Sequence, residues 1–163
     1  MKKRISLFLL IISASTISAC TRTARLYPVQ GPVSAQSPTP VFFAKITGVS
    51  YPSGISIVLG GGELCKGRWN QVAPTQPAKG ATASVQQVTA GDMSSVWDSV
   101  YGPGYYVAHV LGTNYYYESV ASGDRGTVIN VELYLDDSES HYKNSGYKGV
   151  ARDNKGNIYK LML

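Results

Sequence analysis

Two histidines, four glutamates and an internal cysteine are the residues first to be weighed for acid–base, metal or thiol chemistry. His109 lies between Ala108 and Val110 in an apolar run, which reads as a hydrogen-bonded core or sheet residue rather than a general base. His141 follows Asp136-Asp137-Ser138-Glu139-Ser140, so oxygens and an imidazole are close in sequence. Their order lacks the spacing of a calcium loop or a zinc motif and reads as a solvated acidic turn. Glu63, Glu118 and Glu132 could serve as general acids, but glycoside hydrolysis needs two carboxylates at a set separation, which a linear chain does not supply. No Gly-x-Ser-x-Gly elbow occurs. Gly60-Gly61-Gly62 lacks the Lys and Ser/Thr spacing of a phosphate loop. The residues therefore point to no catalytic group, no metal site and no cofactor.

Tyrosine is the enriched type. Of 12 in the chain, Tyr101, Tyr105, Tyr106, Tyr115, Tyr116 and Tyr117 fall within 17 residues. A tyrosine offers apolar area and a polar tip at low entropic cost, so an exposed group of them can stack on a sugar or anchor a protein contact. Tyr105, Tyr106, Tyr115, Tyr116 and Tyr117 form the candidate binding face, with ordinary cross-strand packing as the competing reading. Strand alternation places Tyr115 and Tyr117 on one side and Tyr116 on the other. Trp69 and Trp97 read as core.

The N-terminus carries a different kind of chemistry. Met1-Lys2-Lys3-Arg4 is a short cationic segment, followed by the apolar run from Ile5 to Ile12 and small residues up to Ile17-Ser18-Ala19-Cys20. An apolar run of about 8 residues is too short for a spanning helix, which needs about 20, and the whole has the pattern of a secretory signal. Ser18, Ala19 and Cys20 match the lipobox of bacterial lipoproteins, with Ile17 in place of the usual Leu, and the segment resembles that family's signal. The resemblance implies cleavage before Cys20, a diacylglycerol on its sulfur and a fatty acid such as palmitate on its new amino group. Several acyl chains make a stable anchor where one is marginal. Thr21 is not the Asp associated with inner-membrane retention, so the family's logic implies a lipid anchor in the outer membrane of a Gram-negative envelope.

In an oxidising compartment cysteines tend to be paired. With Cys20 lipidated, Cys65 has no intramolecular partner and reads as a buried thiol, an intermolecular disulfide being the alternative. The formal charge of +5 suggests a nucleic-acid partner until Lys2, Lys3 and Arg4 are set aside, which leaves 12 basic against 10 acidic residues and no such expectation.

These residues need a scaffold. A hydrophobic fraction of 44% with 15% charged residues describes a folded chain, and 163 residues correspond to one domain. Residues 1–19 read as signal peptide. Pro28, Pro32, Pro38 and Pro40 make residues 20–40 a lipidated, Pro-rich tether spanning roughly 25 Å as a coil. Residues 41–163 read as a β-rich globular domain. Strand patterns occupy residues 41–47, 55–59, 63–69, 105–111, 115–121 and 127–135, and a last hairpin pairs 146–152 with 158–163 through Asp153-Asn154-Lys155-Gly156-Asn157. In residues 127–135, Ile129, Val131, Leu133 and Leu135 share a face. One helix starts at Asp92, carries Met93, Trp97 and Tyr101 at i+4 and stops at Gly102. Residues 72–90 read as a long loop, with a short strand near 85–88.

The fold class is therefore mainly β, a small antiparallel sandwich or barrel of about eight short strands with one short helix. The expected function is a non-enzymatic, lipid-anchored binding domain. Its partners are the membrane, through the N-terminal lipid, and an envelope protein or peptidoglycan. A glycan binder or inhibitor of a wall-degrading enzyme is the alternative, and a hydrolase whose constellation is invisible in sequence is a third class.

Overall fold

A computed structural model of the chain describes residues 21–48, 52–74, 93–136 and 146–163. Eight strands follow one another, β1 (Thr21–Gln30), β2 (Phe42–Thr47), β3 (Gly54–Val58), β4 (Leu64–Val72), β5 (Tyr116–Gly123), β6 (Val128–Leu135), β7 (Tyr147–Asp153) and β8 (Ile158–Met162). Each pairs antiparallel with the next, and β8 returns to β1, closing an up-and-down barrel. Closure leaves no unpaired sheet edge, and eight strands enclose a space just wide enough for side chains to fill.

Period-two alternation decides what fills it. In one layer Ala24 lies opposite Ala44, Ala44 opposite Ile57, and Ile57 opposite Cys65. Ile129, Val131 and Leu133 of β6 and Tyr159 and Leu161 of β8 join the same core. The expected face of β6 is therefore the inner one for these three residues. The hairpins expected around Gly60–Gly62 and Asp153–Asn157 are both present.

The outer wall is covered on one side. Helix α1 (Ser94–Tyr101) and a π-helical turn (Tyr106–Val110) pack Val96, Trp97, Tyr106 and Val110 onto Tyr134 and Val150, which point outward from β6 and β7. Gly102 ends α1 with a φ of 113°, a conformation that favours glycine, and its amide donates to the Asp98 carbonyl. No described helix is long and apolar enough to cross a membrane.

Three expectations need correction. Residues 21–30, assigned to a tether ahead of a domain starting at Val41, form β1. Ala24 and Leu26 point inward there, and their burial together with pairing to both β2 and β8 outweighs the nearby prolines. Gly31, at a φ of 96°, then turns the chain against Gly156, whose carbonyl oxygen would lie 2.5 Å from a Cβ there. Residues 105–111, expected as a strand, are helical. The Asp98 carboxylate accepts hydrogen bonds from the amides of Gly104 (3.0 Å) and Tyr106 (3.1 Å), capping a turn that Leu111 N to Tyr106 O continues. Consequently His109 is exposed on that turn and not in a core strand. Cys20, the short strand near 85–88, the Asp92 cap and His141 lie outside the described residues; α1 itself begins after Met93 without a side-chain cap.

Candidate binding cleft at the Thr21 end of the barrel

The two ends of the barrel differ. At one, the turns are held by buried carboxylates. Glu63 accepts from the Thr127 amide (2.9 Å), the Thr127 hydroxyl (2.7 Å) and the Arg125 amide (3.2 Å), with the Lys155 ammonium 3.7 Å away. Hydrogen bonding from the Thr127 hydroxyl, then from its amide, holds the Glu63 carboxyl below the usual glutamate value. Asp153 accepts from the amides of Lys155 (2.9 Å) and Asn157 (2.8 Å), the Asn157 side-chain amide (2.8 Å) and the Tyr159 hydroxyl (2.8 Å). All of these oxygens are engaged with the protein itself, so Glu63 is a turn anchor and is poorly suited to give up a proton near neutrality.

Cys65 lies in the same barrel layer as a free, fully buried thiol. Burial, then the Glu63 charge, pushes its pKa to about 11. It stays protonated at pH 8 and enclosed, so a maleimide should leave Cys65 unmodified in the native protein and label it only in denaturant; rapid native labelling of Cys65 would contradict this placement.

At the opposite end, where β1 begins, a cleft of about 360 Å³ opens between the π-helical turn, the turn into β5 and the end of β6. His109 is carried by the helical turn, Thr113 and Asn114 by the tight turn that follows, Tyr115 by the lead into β5, and Tyr134 and Asp136 by the end of β6. Thr113 is fixed by hydrogen bonds from its hydroxyl to the carbonyls of Val110 (2.7 Å) and Tyr115 (3.1 Å). Asp136 pairs with Lys148 at 2.7 Å. The hydroxyls of Tyr134 and Tyr105 are 2.7 Å apart, and burial, then the bond to Tyr105, pushes the Tyr134 phenol well above the ordinary tyrosine value. Behind the cleft runs a stack of rings: His109 on Tyr105 at 4.3 Å, Tyr105 on Tyr101 at 4.6 Å, and Tyr101 on Trp97 at 5.5 Å.

The five tyrosines singled out in the sequence do not share one face. Tyr106 is buried beneath α1, and Tyr116 packs against the same outer cluster. Tyr117 is buried inside the barrel, where Tyr115 meets it edge-on at 5.6 Å. Tyr105 is half-buried in the ring stack, and only Tyr115 lines the cleft. The alternation of Tyr115 and Tyr117 against Tyr116 is present, but Tyr117 is enclosed by the barrel and Tyr116 packs on the outer cluster, so neither side becomes an open tyrosine face. The carboxylates also separate: Glu118 is exposed opposite Glu132, whereas Glu132 is buried under α1 and accepts from Trp97 Nε1 at 2.7 Å. Thr113, Asn114 and Tyr134 escaped the sequence reading as site residues, since the Gly112-Thr113-Asn114 composition marks a turn and nothing more, and Asp136, read there as part of a solvated acidic turn, lines the cleft.

Chemically the cleft offers an imidazole, a hydroxyl, an amide, two phenols and a carboxylate around an aromatic wall. That set fits a polar, hydrogen-bonding ligand. Among the described residues no group of three His, Cys, Asp or Glu side chains gathers to hold a metal ion. The fold and site define an eight-stranded antiparallel barrel with a polar-aromatic cleft at one end. No protein-family model matches the chain, and no curated protein or solved structure matches it.

Proposed function

We propose that the chain is an envelope lipoprotein, acylated on Cys20 and held at a Gram-negative outer membrane, with a barrel that serves as a non-enzymatic binding domain. The observation that carries this reading is the order of the N-terminus. A cationic segment, a short apolar run and Ile17-Ser18-Ala19-Cys20 lead directly into Thr21, the first residue of the barrel. The anchor and the folded domain are then adjacent, with no tether between them. Anchoring raises the effective concentration of the cleft toward other components at that surface. Cys20→Ser should abolish incorporation of labelled palmitate and leave the uncleaved precursor; a variant that still takes up the label would overturn the proposal.

The cleft favours a glycan as the ligand class, because an aromatic wall with hydroxyl, amide and carboxylate groups is what a sugar ring and its hydroxyls require. The wild-type protein should co-sediment with purified peptidoglycan, and the Asn114→Ala, Tyr115→Ala pair should reduce that at least several-fold. Equal sedimentation of both proteins would remove the cleft from the reading, and no sedimentation of the wild type would end the glycan reading and leave an envelope protein as the partner.

A further inference from the structure

The four strands that α1 leaves bare differ in charge from the rest of the molecule. Residues 21–62 contain no Asp or Glu, and neither does β4, so β1–β4 are wholly without acidic side chains. On their outer face Arg25, Lys45, Lys66 and Arg68 are all exposed. None of the four makes an ion pair among the described residues. Register places Lys45 opposite Ser56 and Ser56 opposite Lys66, so two ammonium groups share one row.

The adjoining row is apolar apart from Arg25. Met162 lies opposite Arg25, Arg25 opposite Phe43, Phe43 opposite Val58, and Val58 opposite Leu64. Phe43 is 53% exposed, Val58 50% and Met162 49%. Side chains at the equivalent outward positions of β6 and β7, Tyr134 and Val150, are buried under α1.

We infer that the β1–β4 wall lies against an anionic phospholipid surface, with Phe43, Val58 and the adjoining Met162 of β8 entering the headgroup boundary and Arg25, Lys45, Lys66 and Arg68 meeting phosphates. Charge is one argument: such a wall complements anionic headgroups, and each Lys or Arg near that surface strengthens binding by about five-fold. Pairing with a second copy of the same wall would set like charges face to face. Continuity is the other. On the reading of Cys20 as the lipidated residue, on which this inference rests, the acyl chains leave the barrel at the start of β1. Arg25 follows four residues later, about 13 Å along the same strand. Two contacts along β1 lay the barrel on its side. The cleft belongs to the other half of the barrel, between β5 and β6, and so opens away from the bilayer.

The test uses the full acylated protein in vesicles of phosphatidylethanolamine with phosphatidylglycerol, and in vesicles of phosphatidylcholine alone. Single cysteines introduced by Ser56→Cys on the wall or Ala108→Cys beside the cleft carry a fluorophore. In anionic vesicles the Ser56 probe should lose several-fold of its quenching by aqueous iodide and gain quenching by brominated lipid, while the Ala108 probe stays in water. Lys45→Glu with Lys66→Glu, neutral vesicles or high salt should each return the wall probe to water. The fold of the charge-reversed protein is checked by native protection of Cys65. Equal iodide access at both probes in anionic vesicles, or charge reversal without effect, overturns the inference. So does capture of a soluble polyanion such as heparin without shielding by vesicles. Absence of acyl label on Cys20 defeats the proposed anchor instead, and acyl content is measured on the same samples.

Discussion

Replacing Trp97 with alanine is expected to lower the unfolding free energy by about 4 kcal/mol, because truncating a buried aromatic ring leaves a cavity as well as losing its transfer free energy. Trp97 is fully buried between α1 and the barrel, stacked near Tyr101 and Tyr105 and edge-on to Tyr134 at 5.5 Å. Its indole N–H also satisfies the buried Glu132 carboxylate, which the substitution deprives of that donor. An eight-residue helix has little stability of its own, so α1 depends on this contact to stay on the wall. The same stack continues to Tyr105 and His109, and the cleft should loosen with it. Urea unfolding measures the loss, and hydrogen exchange at residues 94–111 locates it. Trp97→Phe should fall between the two proteins. A loss below about 1 kcal/mol for the alanine variant would show that α1 is held by other contacts.

Asp153→Ala is expected to cost a comparable amount, about 4 kcal/mol, through unmet hydrogen bonds rather than a cavity. Four donors converge on this carboxylate, among them the hydroxyl of Tyr159, which is 1% exposed. Removing the acceptor strands that hydroxyl in the core and releases the turn joining β7 to β8. Asn157 is held by Asp153 and in turn accepts from the Val33 amide, so the damage should spread to the segment after β1. Tyr159→Phe removes one stranded donor, and the double variant should therefore be less destabilised than the two single losses added together. Strict additivity in urea unfolding would argue that Tyr159 and Asp153 do not depend on each other.

These two sites separate the roles of the barrel ends. The Asp153 and Glu63 end is closed by turns whose polar groups are satisfied internally. The Thr21 end carries the cleft, and its lining comes from segments that Trp97 holds against the outer wall.

Much of the architecture was legible in the residues themselves. Alternation along residues 127–135 identifies Ile129, Val131 and Leu133 as one face, and glycine and asparagine at residues 60–62 and 153–157 mark real hairpins, because side-chain direction and turn conformation are properties of a few consecutive residues. Three matters were not local. Ala24 and Leu26 alternate as a strand should, yet the prolines after them outweigh two small signals in composition; pairing with β8, more than 130 residues further on, makes them core. Residues 105–111 form an apolar run without a clear period, and the Asp98 carboxylate several residues upstream decides for a helical turn. The tyrosine cluster shows the same limit. Its alternation was readable, but whether either face meets water depends on α1 covering the outside and on the barrel closing around the inside. Neighbouring residues were enough to mark most of the strands, the hairpin turns and the lipobox-like N-terminus, since each is a local pattern. Which faces are buried, where β1 belongs and where the cleft opens emerge on folding, because burial is set by contacts between segments far apart in the chain.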